Sequence, residues 1–396
     1  MKTQVSLRWA ILILAGLISS FASAATADSI SSPDAFAFDL YARLKEKPGN
    51  LFFSPFSISS ALEMAAVGAR GTTSTEMEAV LKILPEQSKA SRAALTDICA
   101  KGQVELASAN ALWTQSGEPL LPDYLERLQT EFSAEPHLVD YIAAPDPARI
   151  AINDWVAVQT HDRIRDVLMP GSVTPLTRLI LVNAIYFKAP WLSPFQEKQT
   201  RTNEFHLLSG ETMSVPFMHR TLKATYGEID STQLLRLPYK GNDVSMLILL
   251  PPTGQLDGLE TSLTPEFLSN ATAEMGRREV NLYLPKFKLE WGAENLIPAL
   301  RALGMVEAFG SSADFSGIRG KRDFLIDQVL HKAFVDVTEE GTEAAAATVL
   351  GMRTLSMPGR AEPPVVFRAD RPFLFLICEH RTGRILFMGR LVQPAG

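Results

Sequence analysis

Residues 339–360 read EEGTEAAAATVLGMRTLSMPGR, and how this stretch folds decides what the rest of the chain does. Two patterns compete in it. The part from Thr342 to Ala347 is rich in alanine and glutamate, so alone it can be helical. A strand, by contrast, sends alternate side chains to opposite faces. On that reading Thr342, Ala344, Ala346, Thr348, Leu350, Met352 and Thr354 share one face, uncharged and small or apolar. The charges of Glu343 and Arg353 fall on the other face. As a strand, this segment can bury one side without taking a charge inside.

The ends and the composition narrow the class. Lys2 and Arg8 flank the start of an apolar run, AILILAGLI at 10–18, that is too short to span a bilayer. Ala22-Ser23-Ala24 then offers the small residues of a cleavage site. Residues 1–24 are expected to be a signal peptide, with a cut after residue 27 as the alternative. The mature chain, 25–396, is expected to be secreted, extracellular or periplasmic, with no further run of membrane length.

Without Lys2 and Arg8 the chain holds 36 basic and 44 acidic residues, scattered rather than striped. Nucleic-acid binding therefore has no electrostatic basis. Cys99 and Cys378 are too few for a disulfide framework, and whether they pair is open in the sequence. Cys378 sits in the apolar run 373–378, where a small buried hydrophobe fits. Asn270-Ala271-Thr272 has the pattern of a glycosylation site, open only to a eukaryotic host.

Element patterns predict one α+β domain. Helices are expected at 34–47, closed by Pro48-Gly49, at 57–69, and at 150–168, closed by Pro170-Gly171. Strands are expected at 104–113, 280–284 and 365–367. The run 178–188 (RLILVNAIYFK) is too apolar for an edge and belongs inside a sheet. Strands 234–239 and 244–250 flank Lys240-Gly241-Asn242-Asp243, a hairpin signature.

No G-x-S-x-G, G-x-x-x-x-G-K-[ST], H-E-x-x-H or G-x-G-x-x-G occurs. His380, two residues after Cys378, has no convincing metal-ligand partners. Neither an enzyme nor a bound metal or cofactor is expected.

The segment from Glu339 and Glu340 through Gly341, Thr342, Glu343, Ala344, Ala345, Ala346 and Ala347 to Thr348 resembles the reactive-centre hinge of inhibitory serpins. Residues 367–377 (FRADRPFLFLI) and 382–390 (TGRILFMGR) are similar to that family's C-terminal signature and closing strand. Residues 50–59 (NLFFSPFSIS), and 181–188 (LVNAIYFK) through Trp191, resemble its early helix entry and central strand.

The resemblance implies a serpin fold: a large, mainly antiparallel central sheet with packed helices, further smaller sheets, and an exposed loop at about 339–362. It implies a serine protease inhibitor that acts as a suicide substrate. The protease would acylate itself on the loop, and the cut loop would insert as a strand and drag the protease along. Gly341 would give the hinge freedom to swing. Counting from Glu339 along the family's loop sets the reactive bond at Leu355–Ser356, with Met357 and Arg353 as competitors. Leu355 suits chymotrypsin-like proteases, with elastase- or cathepsin-like ones as further partners. Ser54, Ser57, Asn183 and His331 match the family's buried shutter; Trp191, Lys286 and Glu339 match the breach where the loop enters. Lys89, Arg92 and Lys101 are too sparse for heparin binding, and a monomer is expected. The alternative is a non-inhibitory carrier or chaperone of the same fold.

Overall fold

The run 178–188 does lie inside a sheet, and that sheet also holds Gly341 and Thr342 of the expected hinge. The computed structural model describes residues 35–82, 85–117, 119–342 and 363–394. The expected signal peptide, the hinge from Glu343 to Thr348, and Leu355 and Ser356 with their competitors lie outside these residues. The strand Leu179–Pro190 pairs antiparallel with Glu105–Gln115 and parallel with Gln328–Val337. Phe287–Asn295 and His137–Val139 complete the edges, and Gly341–Thr342 is the sixth strand.

That sixth strand is a wedge. Thr342 stands opposite Val337 on one side and Ala189 on the other, antiparallel to both. Beyond it the flanking strands close on each other in parallel through seven register pairs, Gln328–Ile180 to Phe334–Tyr186. The sheet is thus mixed, because His137–Val139 also runs parallel to its neighbour.

The other described strands form one nine-stranded sheet, antiparallel except where Val365–Arg368 joins Gly276–Pro285. The expectation of several smaller sheets differs here for a simple reason. The 18-residue strand Thr212–Ile229 runs unbroken through both halves and pairs with three neighbours. The hairpin forms as read: Gly241 and Asn242 take φ of 91° and 62°, and Tyr239 N–H donates to Val244 O over 2.9 Å.

Ile185, Phe187, Ala333 and Val335 of the smaller sheet face Leu235, Met246, Ile248 and Phe375 of the larger one across a shared core. Helix Pro145–Gln159 covers the outer face of the smaller sheet through Ala148, Ile152 and Val156. This helix corrects the expected span 150–168: it starts at Pro145 and ends at Gln159. His161, Asp162 and Asp166 adopt positive φ, which a helix cannot contain. Ile164, Val167 and Leu168 keep a helical spacing because the following loop is also buried, tied to Asn153 through Leu168 N–H and Leu168 O.

Helix Pro55–Ala66 begins earlier than the apolar pattern suggests. Ser54 caps it, its Oγ accepting from Ser57 N–H over 3.1 Å, and Pro55 fills the first turn, where no backbone donor is needed.

Candidate functional site

Thr338 to Thr342 form a tight turn at the head of the parted strands. Thr338 N–H and Oγ1 both reach Gly341 O, at 2.9 and 3.2 Å, which leaves Glu339 and Glu340 at the tip. Thr342 is fully buried, and its Oγ1 lies 2.7 Å from Tyr239 Oη between the sheets. The alternation at 342–354 therefore starts in the inward phase.

Gly341 has a steric reason to be glycine. A Cβ there would sit 2.2 Å from Ala189 O and 2.6 Å from Pro190 Cα. Both are backbone atoms, so a side chain would force the hinge out from between the strands.

The residues around the turn come together as the sequence suggested. Trp191 is buried, stacks on Tyr239 at 4.5 Å, and donates from its backbone N–H to Glu340 O and from Nε1 to Thr338 O. Lys286 Nζ is 2.8 Å from Glu339 Oε2, and Thr200 Oγ1 donates to Glu339 Oε1 over 2.7 Å. Burial pushes the Glu339 carboxyl up, but these two hydrogen bonds, its own backbone N–H and the charge of Lys286 together outweigh it, and its pKa is lowered. Lys286→Ala leaves that buried carboxylate without its counter-charge. The expected loss is about 1–3 kcal/mol of unfolding free energy, read from urea titrations at pH 7.

Beneath the wedge, Ser54, Ser57, Asn183 and His331 form one buried network. Ser54 N–H donates to His331 Nε2 over 3.1 Å, and Ser54 Oγ donates to Leu386 O. His331 Nδ1 hydrogen-bonds Asn183 Oδ1, and Asn183 Nδ2 donates to both Ser57 Oγ and Asn110 Oδ1. With Nε2 accepting, the proton sits on Nδ1 and the ring is neutral. Complete burial lowers the His331 pKa from 6.5 to about 3. Asn183 and His331 are register partners on the two strands that the wedge parts.

Sequence reasoning missed four residues here. Asn110 joins the polar network, and its signal was a lone amide in the strand run ASANAL. Tyr239, Thr200 and Phe195 hold the turn, the last by donating from N–H to Glu339 O. None of these three carries a local signal, because each contact joins segments more than 100 residues apart.

Comparison with known proteins gives the family of this fold. The profile of the family described as Serpin (serine protease inhibitor) matches residues 31–394. The chain belongs to the serpin family. A serpin-like protein of Thermococcus kodakarensis is 41% identical over 371 residues, 92% of this chain and 85% of its own. Human leukocyte elastase inhibitor is 40% identical over 375 residues, 91% of this chain and 97% of its own. Among solved structures, uncleaved ovalbumin superposes with a TM-score of 0.79 at 31% identity, covering 93% of this serpin and 99% of ovalbumin.

Other features of this serpin have structural roles. Cys99 and Cys378 are both free thiols; burial pushes Cys378 up to about 12. His380 is held between Ser245 Oγ and Asn242 O. Arg92 turns toward Glu63 and lies over the Phe132 ring. No group of metal-binding side chains, and no helix long and apolar enough to cross a membrane, occurs among the described residues.

Proposed function

We propose that this serpin is an exported inhibitor of serine proteases, cut at Leu355–Ser356 and acting by strand insertion. The observation that carries the reading is Thr342, already seated between Val337 and Ala189 with its side chain inward.

Continuing that register would set Ala344 between Val335 and Phe187, and Ala346 between Ala333 and Ile185. Thr348 would arrive between His331 and Asn183, a hydroxyl entering a polar network. Glu343 would point to the other face, flanked by Lys188 and Asp336. The two alanines would thus meet apolar neighbours, and Thr348 would meet the polar pair. Insertion would also replace one parallel ladder with two antiparallel ones, adding backbone hydrogen bonds. Alanine loses almost no side-chain entropy on burial, which favours rapid entry.

Leu355 at the reactive bond favours proteases with a deep apolar pocket, chymotrypsin-like first. The similarity to leukocyte elastase inhibitors adds elastase-like proteases as targets. Residues 1–24 serve in this reading as the export signal.

The test is to incubate chain 25–396 with chymotrypsin and with elastase, then separate the products under denaturing conditions. The expected result is a stable band near the summed mass and a released peptide that begins at Ser356. Loop cleavage by both enzymes without that band would contradict the inhibitory reading. It would favour a binding protein of the same fold.

A further inference from the structure

A cavity of about 220 Å³ lies against the turn that follows the central strand. Its floor is apolar, built from Leu192, Phe195, Leu222, Ala224 and Leu237, while Lys223, Arg236, Arg277 and His380 stand around it. None of the described residues lining it is acidic.

The strand register explains how the cations gather. Thr225 pairs with Arg236 on one side and with Arg277 on the other, so the three share a row and a face. Lys223, two residues along, points to that same face. Glu279 stands opposite Lys223 in register and lies outside the lining. Lys223 and Arg277 form no ion pair or hydrogen bond with other described residues; Arg236 and His380 have partners of their own. Like charges grouped on one face repel one another; Glu279 opposite Lys223 offsets part of that, and a bound anion relieves more of it.

From the apolar floor and this cationic rim, we infer that the cavity binds a small amphipathic anion, a ring-sized apolar body bearing one carboxylate or sulfonate. Arg277 and Lys223 hold the anionic group, and Phe195, Leu222 and Leu237 take the body. One wall is the turn Trp191 to Phe195, whose N–H groups donate to Glu340 O and Glu339 O of the hinge. Leu192 N–H ties the same turn to Pro238 O in the opposite wall. An occupied cavity therefore braces the turn on which the hinge rests.

The experiment is calorimetric titration of the full mature chain with 2-naphthoate and with 2-naphthalenesulfonate. The uncharged 2-naphthol is the control. Saturable one-to-one binding of both anions is expected, weakened by more than about tenfold in 2-naphthol and in the exposed double variant Lys223→Gln, Arg277→Gln. Raising the salt concentration weakens it as well, because the rim is open to solvent. Position is read independently. Bound 2-naphthoate slows acetylation of Lys223 but not of Lys198, and slows deuterium exchange of the Trp191 and Phe195 amides. Equal binding of 2-naphthol, or anion binding unchanged in the double variant, overturns the assignment. So does the absence of saturable binding. None of these readouts uses a protease, so the inference can fail while the inhibitory reading stands.

Discussion

Thr342→Arg is expected to convert the protein from a trap into a substrate: the protease cuts the loop, and no stable complex accumulates. Thr342 is fully buried, and its hydroxyl meets Tyr239 Oη. An arginine there would face the layer between the sheets, where Phe187, Val335 and Val337 are also buried. A buried charge without a partner costs about 3–5 kcal/mol. Each 1.4 kcal/mol is about a factor of ten, so entry should slow by a hundredfold or more against deacylation. Quantifying complex and cleaved inhibitor on a denaturing gel reads this partition directly. Thr342→Ser, which keeps the hydroxyl, should partition like the wild type. An arginine variant that traps as efficiently as the parent would mean the loop does not enter here.

The second large effect is acid sensitivity centred on His331. Its folded pKa is lowered to about 3, against 6.5 unfolded, so between these values the unfolded chain binds the proton and the folded one does not. Stability then rises with pH across that window and falls as pH drops below 6.5. Going from pH 6.5 to 4.5 should remove about 2–3 kcal/mol through this one ring. Protonation would also place a donor where Nε2 now accepts from Ser54 N–H, loosening the network that holds the two strands together. Urea unfolding at several pH values, for the wild type and His331→Gln, separates this contribution from that of the carboxylates. The wild-type curve should be steeper by about 1.4 kcal/mol per pH unit between pH 6 and 4. Parallel curves would mean the ring ionises normally in the folded protein.

Features with a short sequence period are legible in the chain alone. The two-residue repeat of a strand puts Thr342 on the uncharged face of its segment, and Thr342 is buried between the sheets. Strand Leu179–Pro190 announces its central place through apolar character on both faces. The hairpin at Gly241–Asn242 reads from turn chemistry alone. What the sequence hides is long-range pairing. Nothing local says that Gln328–Val337 lies parallel to Leu179–Pro190, which leaves a joint that a third strand can open. The reason for Gly341 is hidden as well, because the clash that excludes a side chain comes from Ala189 and Pro190, about 150 residues away. Helix Pro145–Gln159 was misplaced because a buried loop after it repeats the apolar spacing of a helix. Periodicity does not single out Ser54, Ser57, Asn183 and His331, or Trp191, Lys286 and Glu339; these are named from the family resemblance.

The most direct measurement of the central claim, that the loop becomes a strand between Gln328–Val337 and Leu179–Pro190, is thermal unfolding before and after a single cut in the loop. A nick in an exposed loop ordinarily leaves stability unchanged or lowers it. Insertion would raise Tm by more than about 10 °C, because a full strand joins the core of the sheet. It would also slow deuterium exchange from Gln328 to Val337. A cut protein with unchanged or lower Tm, and unaltered exchange in that strand, would contradict the account.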